Sequence, residues 1–226
     1  MVDPDPLREP RPTLVFFDLD GTISRRDTLI GYVWGYAWRH PWRLVGFLRV
    51  LPSLLAFATG RIDRGALKGA LVRAVMGGSD RGTIEAWTQQ YVPRLVDRGC
   101  FPDALRTIEA HRQAGHHLVL MTATVDLYVP VLARTLGFDE WICSVVGWQE
   151  DQLDGRLASR NVRGEEKAAR LRTLVLALPG RRLVGYGNSH ADLPHLRLVD
   201  EAVLINAGSR LRRAAKDLPI QHRTWL

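Results

Sequence analysis

Cysteine and long apolar segments are scarce in this chain. Its 226 residues include two cysteines, Cys100 and Cys143, which are too few for a disulfide framework and lack metal-ligand spacing. We therefore expect two reduced thiols in a cytoplasmic protein. The most apolar stretch, residues 44–58, is shorter than the roughly 20 residues of a membrane-spanning helix. Residues 1–12 have no apolar core like that of a signal peptide, and we interpret them as a disordered lead.

Acidic residues are outnumbered by basic ones. The chain has 31 lysines and arginines, nearly all of them arginine, against 24 aspartates and glutamates, which gives a net charge of +7. This balance favours anionic partners, such as phosphates or anionic lipid surfaces, without choosing among them. A nucleic-acid partner would depend on charge alone, and we predict none. The hydrophobic fraction of 46% is too high for a disordered chain, and the length fits one α/β domain with a substantial insertion or two small domains.

Two aspartates directly follow an apolar run near the N-terminus. Residues 14–17 are four apolar residues rich in strand formers, and they predict a buried strand. Asp18 and Asp20 then point to the same side of an extended chain. Gly21 permits a turn at the carboxyl end of the strand, where open α/β sheets bind their ligands. Two adjacent carboxylates repel each other, so we expect a divalent cation or a shared proton there.

Strands alternate with helices in the second half of the chain. This alternation predicts an α/β fold with a doubly wound, Rossmann-like parallel sheet and helices on both of its faces. The preceding region reads as several helices separated by glycines, and it is too long for a crossover loop. We therefore predict a helical cap over residues 27–100, inserted in a core domain formed by residues 13–26 and 101–226.

Two polar residues later in the chain, Thr122 and Lys167, are candidates for phosphate binding. Thr122 follows a predicted strand at residues 117–121, and with the backbone N–H groups of Ala123 and Thr124 at a helix start it can hold a phosphate oxygen. A threonine there also commonly caps a helix. Lys167 lies near the start of a predicted helix, where a single lysine is usually a solvated charge.

The last polar segment, residues 185–194, follows a strand predicted at residues 182–186. Asn188 and Asp192 in this segment offer oxygen ligands of the kind that Mg²⁺ prefers. The spacing of His190 and His195 predicts no zinc site, and we expect both histidines to be partly exposed.

Taken together and in this order, these segments resemble the four motifs of the haloacid dehalogenase-like (HAD) phosphatases. Residues 18–22 match the first motif, D-x-D-G-T, Thr122 the second, Lys167 the third, and residues 185–194 the fourth. The position of the cap and the segment before the fourth motif resemble subfamily IB. That branch contains phosphoserine phosphatases and phosphatidylglycerophosphatase C-like enzymes.

The resemblance implies a Mg²⁺-dependent phosphomonoesterase that forms an aspartyl-phosphate. It implies Asp18 as the nucleophile, Asp20 as the general acid and base, and Thr122 and Lys167 as the remaining catalytic residues. The metal ligands that it implies are Asp18, Asp20, Asn188 and Asp192. As substrate-binding residues we predict Gly21, Thr22, Asp27, Ala123, Thr124 and Arg163.

One position departs from the family pattern. Asn188 stands where most family members have an aspartate, so one formal negative charge is missing from the metal site. We therefore keep an alternative, a degenerate HAD fold that binds a phosphorylated ligand or a membrane surface without turnover. Retention of the other motif residues favours the enzyme.

The predicted cap carries the charge excess. Residues 22–75 contain nine arginines and lysines against two aspartates. Trp34, Trp38 and Trp42 are spaced four apart, which favours one helix face. Two interpretations remain open: a buried packing stripe within the cap, or a cap that lies on an anionic membrane and admits a lipid phosphate. The substrate is accordingly a small phosphorylated metabolite or a lipid phosphate, and the location cytoplasmic or peripheral to the inner membrane face.

Overall fold

The computed structural model describes residues 12–226, so the lead predicted over residues 1–12 lies outside it except for Pro12. Eight strands are present in this part of the chain. Six of them form one parallel sheet in the order β3-β2-β1-β6-β7-β8, and β4 and β5 form an antiparallel hairpin. The strands are β1 (Thr13–Phe17), β2 (His117–Val125), β3 (Glu140–Ser144), β4 (Val146–Gln149), β5 (Gln152–Leu157), β6 (Arg182–Gly187), β7 (Glu201–Ile205) and β8 (Ile220–Arg223).

The helices of the described residues fall into two groups. Four lie within residues 28–94 and form the helical insertion, and the other five lie between residues 102 and 214. A 3-10 turn, Pro41–Leu44, precedes the second helix, and a π-helical turn, Leu95–Gly99, follows the fourth. The helices are α1 (Thr28–Arg39), α2 (Val45–Ala58), α3 (Arg64–Met76), α4 (Arg81–Arg94), α5 (Pro102–Gln113), α6 (Val129–Thr135), α7 (Glu165–Ala177), α8 (Leu193–Leu196) and α9 (Ser209–Ala214).

Strand β1 sits in the middle of the sheet, between β2 and β6. Its alternating side chains are buried on opposite faces: Val15 and Phe17 join the core cluster of the insertion, and Leu14 and Phe16 pack in a second cluster with Leu171 of α7. From β1 the chain continues to β2 and β3 on one side of the sheet, and it later returns to form β6, β7 and β8 on the other side. The crevice between β1 and β6 is therefore a topological switch point. The predicted α/β fold with a doubly wound parallel sheet is confirmed, whereas the exact limits of the cap stay a prediction.

Several local predictions were wrong. Strand β8 was not predicted because its four residues are mostly polar and exposed. The segment after β6 forms only one helical turn, α8, with a proline at its start. His195 in this turn is buried rather than partly exposed, and it lies within electrostatic reach of Lys167 and Asp192. Both cysteines are free, as predicted.

The tryptophan stripe is not a buried packing stripe. Trp34, Trp38 and Trp42 expose 49%, 61% and 70% of their surface, while the buried face of α1 is formed by Tyr32 and Tyr36 among others. Of the described residues, one helical stretch, Pro41–Ala58, is long and apolar enough to cross a membrane, and only 11% of it is buried.

Candidate active site

Three charged side chains from different parts of the chain meet at the carboxyl end of β1. Asp18 follows β1, and its N–H donates to the carbonyl of Tyr186 in β6 (3.0 Å). Lys167 Nζ, near the start of α7, donates to Asp18 Oδ1 (2.5 Å) and to Asp192 Oδ1 (2.9 Å). All three side chains are buried. The structure therefore brings together residues 149 and 25 positions apart as one ion-paired group.

Burial and mutual charge set the protonation of this group. Burial, together with the charge of Asp192, raises the pKa of Asp18 above its usual range, against the opposing effect of Lys167. Burial also disfavours the charged form of Asp192, but Lys167 holds the pKa of this carboxyl well below its usual range. The two carboxylates outweigh the burial of Lys167 and raise the pKa of its ammonium group. Lys167 is therefore a fixed cation beside the Asp18 carboxylate.

Asp20 has a different environment from Asp18. Its Oδ1 accepts hydrogen bonds from the backbone N–H and from the hydroxyl of Thr28, both at 2.7 Å. The Thr28 hydroxyl also contacts the buried Tyr128 hydroxyl (2.7 Å), which in turn contacts the hydroxyl of Thr124 (2.7 Å). Burial, with the charge of Asp27, raises the pKa of Asp20 to about 6. A carboxyl group with such a pKa can release and regain a proton near neutral pH.

Gly21 and Asn188 lie against each other at the mouth of the site. Gly21 has φ +82°, which is a conformation that glycine favours, and any side chain there would collide with the Asn188 amide. The Asn188 N–H donates to Asp192 Oδ2 (3.2 Å), and among the described residues its side-chain amide makes no hydrogen bond. Thr22, also buried, donates from its hydroxyl to Asp18 Oδ2 (3.2 Å). The Asn188 amide oxygen is therefore available for a ligand.

The donor set fits a hard divalent cation. Asp18 and Asp192 contact the buried cation Lys167, and the Asp20 carboxylate lies within electrostatic reach of Lys68. Three carboxylates and two ammonium groups leave an excess of one negative charge among these five side chains. Oxygen donors with this charge excess are what Mg²⁺ binds. Asp192 is already engaged, because Oδ1 accepts from Lys167 and Oδ2 from Ser189 Oγ (2.7 Å). Its carboxylate positions Lys167 and the Asn188 loop. Among the described residues no group of three His, Cys, Asp or Glu side chains is placed to hold a metal ion by itself, so backbone and amide oxygens would have to complete the ligand set.

Thr122 lies within β2 rather than at its end, which corrects the prediction for the second motif. Its hydroxyl is buried and accepts a hydrogen bond from the N–H of Thr124 (3.1 Å). Strand β2 continues to Val125, with an irregular register against β3 after Met121, and α6 begins only at Val129. Ala123 and Thr124 therefore do not open a helix, because the chain stays extended past them. A helix N-terminus makes no contribution to phosphate binding here.

A pocket of about 320 Å³ leads from Asp20 to the surface. Asp27 and Arg163, two of the predicted substrate-binding residues, line it together with Ala123 and Thr124. Arg64, Lys68 and Asn161 add further polar groups to the lining. One wall is formed by apolar side chains of the insertion: Leu29, Ile30, Phe57, Leu67 and Leu71. A larger groove lies between α3, the hairpin and α7, and it contains none of the active-site carboxylates.

Sequence reasoning missed Lys68, a pocket residue of α3. Its Nζ donates to the carbonyl of Ala123 and to Asn161 Oδ1 (2.9 Å), which ties the insertion to the core beside Asp20. Burial lowers the pKa of Lys68 to about 8. Composition offered a signal: the chain has only three lysines, and two of them, Lys68 and Lys167, line the site. Thr28 and Tyr128 were also missed, and nothing in the sequence distinguished Tyr128.

Comparison with known proteins gives consistent relatives. The family model of the haloacid dehalogenase-like hydrolases matches residues 15–197. Protein CicA of Caulobacter vibrioides is 34% identical over 196 residues, which are 84% of each chain. Phosphoserine phosphatase SerB1 of Mycobacterium tuberculosis is 26% identical over 207 residues, 89% of this chain and 67% of the relative.

A solved structure supports the same fold. A protein of unknown function from Bordetella pertussis superposes with a TM-score of 0.78 at 20% identity, covering 94% of this chain and 98% of that one. At this identity the likeness concerns the fold, and it extends over both the sheet and the helical insertion.

Proposed function

This chain belongs to the haloacid dehalogenase-like hydrolase family and is a phosphatase, and from that premise we propose that it hydrolyses phosphate monoesters with Mg²⁺ through an aspartyl-phosphate on Asp18. The observation that carries the proposal is the buried group in which Lys167 donates to both Asp18 and Asp192. A carboxylate that attacks a phosphoryl group needs a fixed cation beside it, because the phosphoryl oxygens are also negative. Lys167 supplies that charge.

The proposed reaction has two halves. A carboxylate oxygen of Asp18 forms a bond to phosphorus while the bond from phosphorus to the ester oxygen breaks, and Asp20 donates its proton to the departing alcohol oxygen. Asp20 then takes a proton from a water molecule whose oxygen attacks the phosphorus. The bond to Asp18 breaks, and inorganic phosphate leaves. The pKa of Asp20, about 6, supports both of its roles.

The metal in this proposal is held by oxygen atoms at the end of β1 and in the loop after β6. The Asp18 carboxylate, the Asp20 backbone carbonyl and the Asn188 amide oxygen would hold Mg²⁺, with Asp192 behind them. When bound, Mg²⁺ stabilises negative charge on the transferring phosphoryl group. Thr22 adds a hydroxyl group beside Asp18, and in this proposal the buried hydroxyl of Thr122 contacts a phosphoryl oxygen.

The substrate is a phosphorylated small metabolite or a lipid phosphate. The name of the mycobacterial relative, a phosphoserine phosphatase, supports the first class. The apolar wall of the pocket, formed by residues such as Leu29, Phe57 and Leu71, supports a substrate with an apolar part. In either case we propose a cytoplasmic enzyme, which acts at the inner face of the membrane if its substrate is a lipid.

Substitution of the two catalytic aspartates tests this proposal. We expect Asp18→Asn to lower hydrolysis of an aryl phosphate by at least about 1,000-fold, because an amide does not form the acyl-phosphate. We expect Asp20→Asn to lower it by about 100-fold to 10,000-fold, the range of general acid–base catalysis. The measurement is phosphate release at saturating Mg²⁺. Asp97→Asn, at an exposed aspartate that pairs with Arg98 and lines no part of the Asp20 pocket, serves as the matched control.

The same assay separates the enzyme from the degenerate binder. A panel of soluble phosphate esters and dispersed lipid phosphates is tested with Mg²⁺ and with EDTA. Hydrolysis of a panel member that EDTA abolishes supports the proposed enzyme and gives its substrate class. If wild-type protein releases phosphate from no member, or if Asp18→Asn is as active as wild type, the proposed mechanism is wrong.

A further inference from the structure

The insertion exposes a continuous apolar surface on α1 and α2. We call it the Trp–Leu face and define it by six side chains that are each about half exposed or more: Trp34, Trp38, Trp42, Leu48, Leu51 and Leu55. Trp34 makes ring contacts with Trp38 (5.9 Å between centroids) and with Phe47 of α2 (5.1 Å), so the two helices share one surface. Exposed apolar patches of this kind mark sites of interaction.

Helix α2 is apolar on both of its sides. Gly46 and Val50 are buried on the side that packs on α3, where Gly46 lies directly against the backbone of Ala74. Leu48, Leu51 and Leu55 occupy the opposite side. A helix that is apolar all round is normally buried or in contact with lipid. Packing on α3 accounts for one side only, and the Trp–Leu face is left to solvent.

The charges around the Trp–Leu face indicate what covers it. Residues 28–62 include four arginines and no aspartate or glutamate. Arg49 of α2 and Arg61 just after it are exposed, and Arg39 is exposed at the end of α1. A second copy of the chain on this face would bring arginines against arginines, whereas an anionic lipid surface complements them. Tryptophan and arginine together are typical of the interface between membrane and water.

We propose that the Trp–Leu face docks on the surface of an anionic lipid bilayer, with α1 and α2 lying in the plane of the interface. Helix α2 does not cross the bilayer in this arrangement, because its inner side remains packed on α3. Tryptophan and leucine side chains enter the interfacial layer, and the arginines contact lipid phosphates. The docking itself is independent of the proposed catalysis.

Docking also orients the active site. The pocket beside Asp20 is lined by Ile30 of α1 and Phe57 of α2, which lie on the same two helices as the Trp–Leu face. Ile30 is exposed one helical turn before Trp34, so this wall of the pocket adjoins the Trp–Leu face. With the face docked, a phosphate ester with an apolar chain would enter the pocket from the membrane side. This last point rests on the proposed function.

Vesicle co-sedimentation of the purified full chain tests the docking. Vesicles of phosphatidylcholine alone are compared with vesicles that contain phosphatidylglycerol, at low salt and at 1 M salt. We expect sedimentation with the anionic vesicles at low salt, and weaker binding at 1 M salt, where the Debye length is about 3 Å. Replacing Arg49 and Arg61 together by glutamine should weaken the partition by about five-fold for each arginine. Arg43 is left intact because it donates to the carbonyl of Gly77 at the end of α3 (2.5 Å).

A second variant tests the apolar contribution. Trp38→Ser combined with Trp42→Ser and Leu48→Ser should lower the partition coefficient for anionic vesicles by at least about 10-fold. The variant has three fewer large apolar side chains to transfer from water into the bilayer interface. The matched controls are Leu176→Ser, at an equally exposed leucine of α7, and Arg210→Gln with Arg213→Gln on α9. Aryl phosphate hydrolysis by each variant is measured alongside and should stay at the wild-type level, since none of these residues lies in the pocket.

Three results would overturn the proposal. The first is wild-type protein that stays in the supernatant with both kinds of vesicle at low salt. The second is a triple serine variant that sediments like wild type. The third is a wild-type dimer in sedimentation equilibrium that the same three serines dissociate, which would assign the face to a second copy. Vesicle binding without any phosphate hydrolysis would instead contradict the proposed function and leave the docking intact.

Discussion

Asp18 and Asp20 are two positions apart, yet their carboxyl groups have different surroundings. Asp18 is paired with Lys167, whereas Asp20 accepts two hydrogen bonds from Thr28 and has a pKa raised to about 6. Burial raises the pKa of both carboxyl groups, that of Asp18 to about 7 and that of Asp20 to about 6, so their contacts rather than their pKa values distinguish them. The Lys167 ammonium group beside Asp18 can stabilise phosphoryl oxygens next to that carboxylate, which supports Asp18 as the nucleophile and Asp20 as the proton donor.

Substitution of Asn188 tests whether its side chain binds the metal. If its amide oxygen is a ligand, Asn188→Asp adds a negative charge at the metal and should lower the Mg²⁺ concentration for half-maximal activity by several-fold. The measurement is a Mg²⁺ titration of aryl phosphate hydrolysis after treatment with EDTA. Gln89→Glu, which adds the same charge at an exposed position of α4, is the control. An unchanged titration in Asn188→Asp would remove Asn188 from the metal site.

At the scale of elements, helix α2 is attached to the rest of the insertion through its contact with α3. Gly46 allows this contact, because a methyl group there would collide with the carbonyl of Ala74. We expect Gly46→Ala to lower the free energy of unfolding by about 1–3 kcal/mol, the usual cost of overpacking. Urea unfolding followed by circular dichroism measures the change.

A second glycine provides the control for this prediction. Gly82→Ala lies in α4 and has space for the methyl group, so it should be neutral or stabilise the protein slightly, by less than about 1 kcal/mol. Equal destabilisation by both variants would show that helix glycines matter here for a reason other than the α2–α3 contact.

At the scale of the whole molecule, a half-buried histidine makes stability depend on pH. His111 of α5 contacts the Tyr186 hydroxyl of β6 (2.9 Å) and His116 (2.8 Å), with Glu201 and Arg223 nearby. Burial, with the charges of His116 and Arg223, lowers the pKa of His111 to about 4 against the effect of Glu201. The unfolded chain therefore binds a proton at higher pH than the folded one does. The stability that neutral His111 contributes is complete above about pH 6.5 and is lost as the pH falls towards 4.

Urea midpoints between pH 7.5 and pH 4.5 test this dependence. We expect the midpoint of wild-type protein to fall more steeply over this range than that of His111→Gln, whose side chain does not titrate. His222→Gln, at an exposed histidine of β8, should behave like wild type. Parallel slopes for wild type and His111→Gln would contradict the prediction.

Sequence alone determined the fold class and indicated the candidate site. The four apolar residues before Asp18 indicate a buried strand. Alternating strands and helices are compatible with only a few topologies, so the parallel sheet could be predicted. Asp18, Asp20 and Lys167 could be predicted as site residues because phosphoryl transfer needs those residue types and because four ordered segments resemble the family motifs, and the structure places Asp18 and Lys167 in contact.

Tertiary structure decided the features that depend on contacts between distant residues. Periodicity shows that Trp34 and Trp38 share a helix face, but not whether another helix covers that face, and packing left them exposed. Thr122 was expected at a strand end, yet β2 continues past it because β3 pairs with its last residues. Lys68 reaches the active site only because α3 packs beside Ala123, a contact across 55 positions that no local pattern encodes.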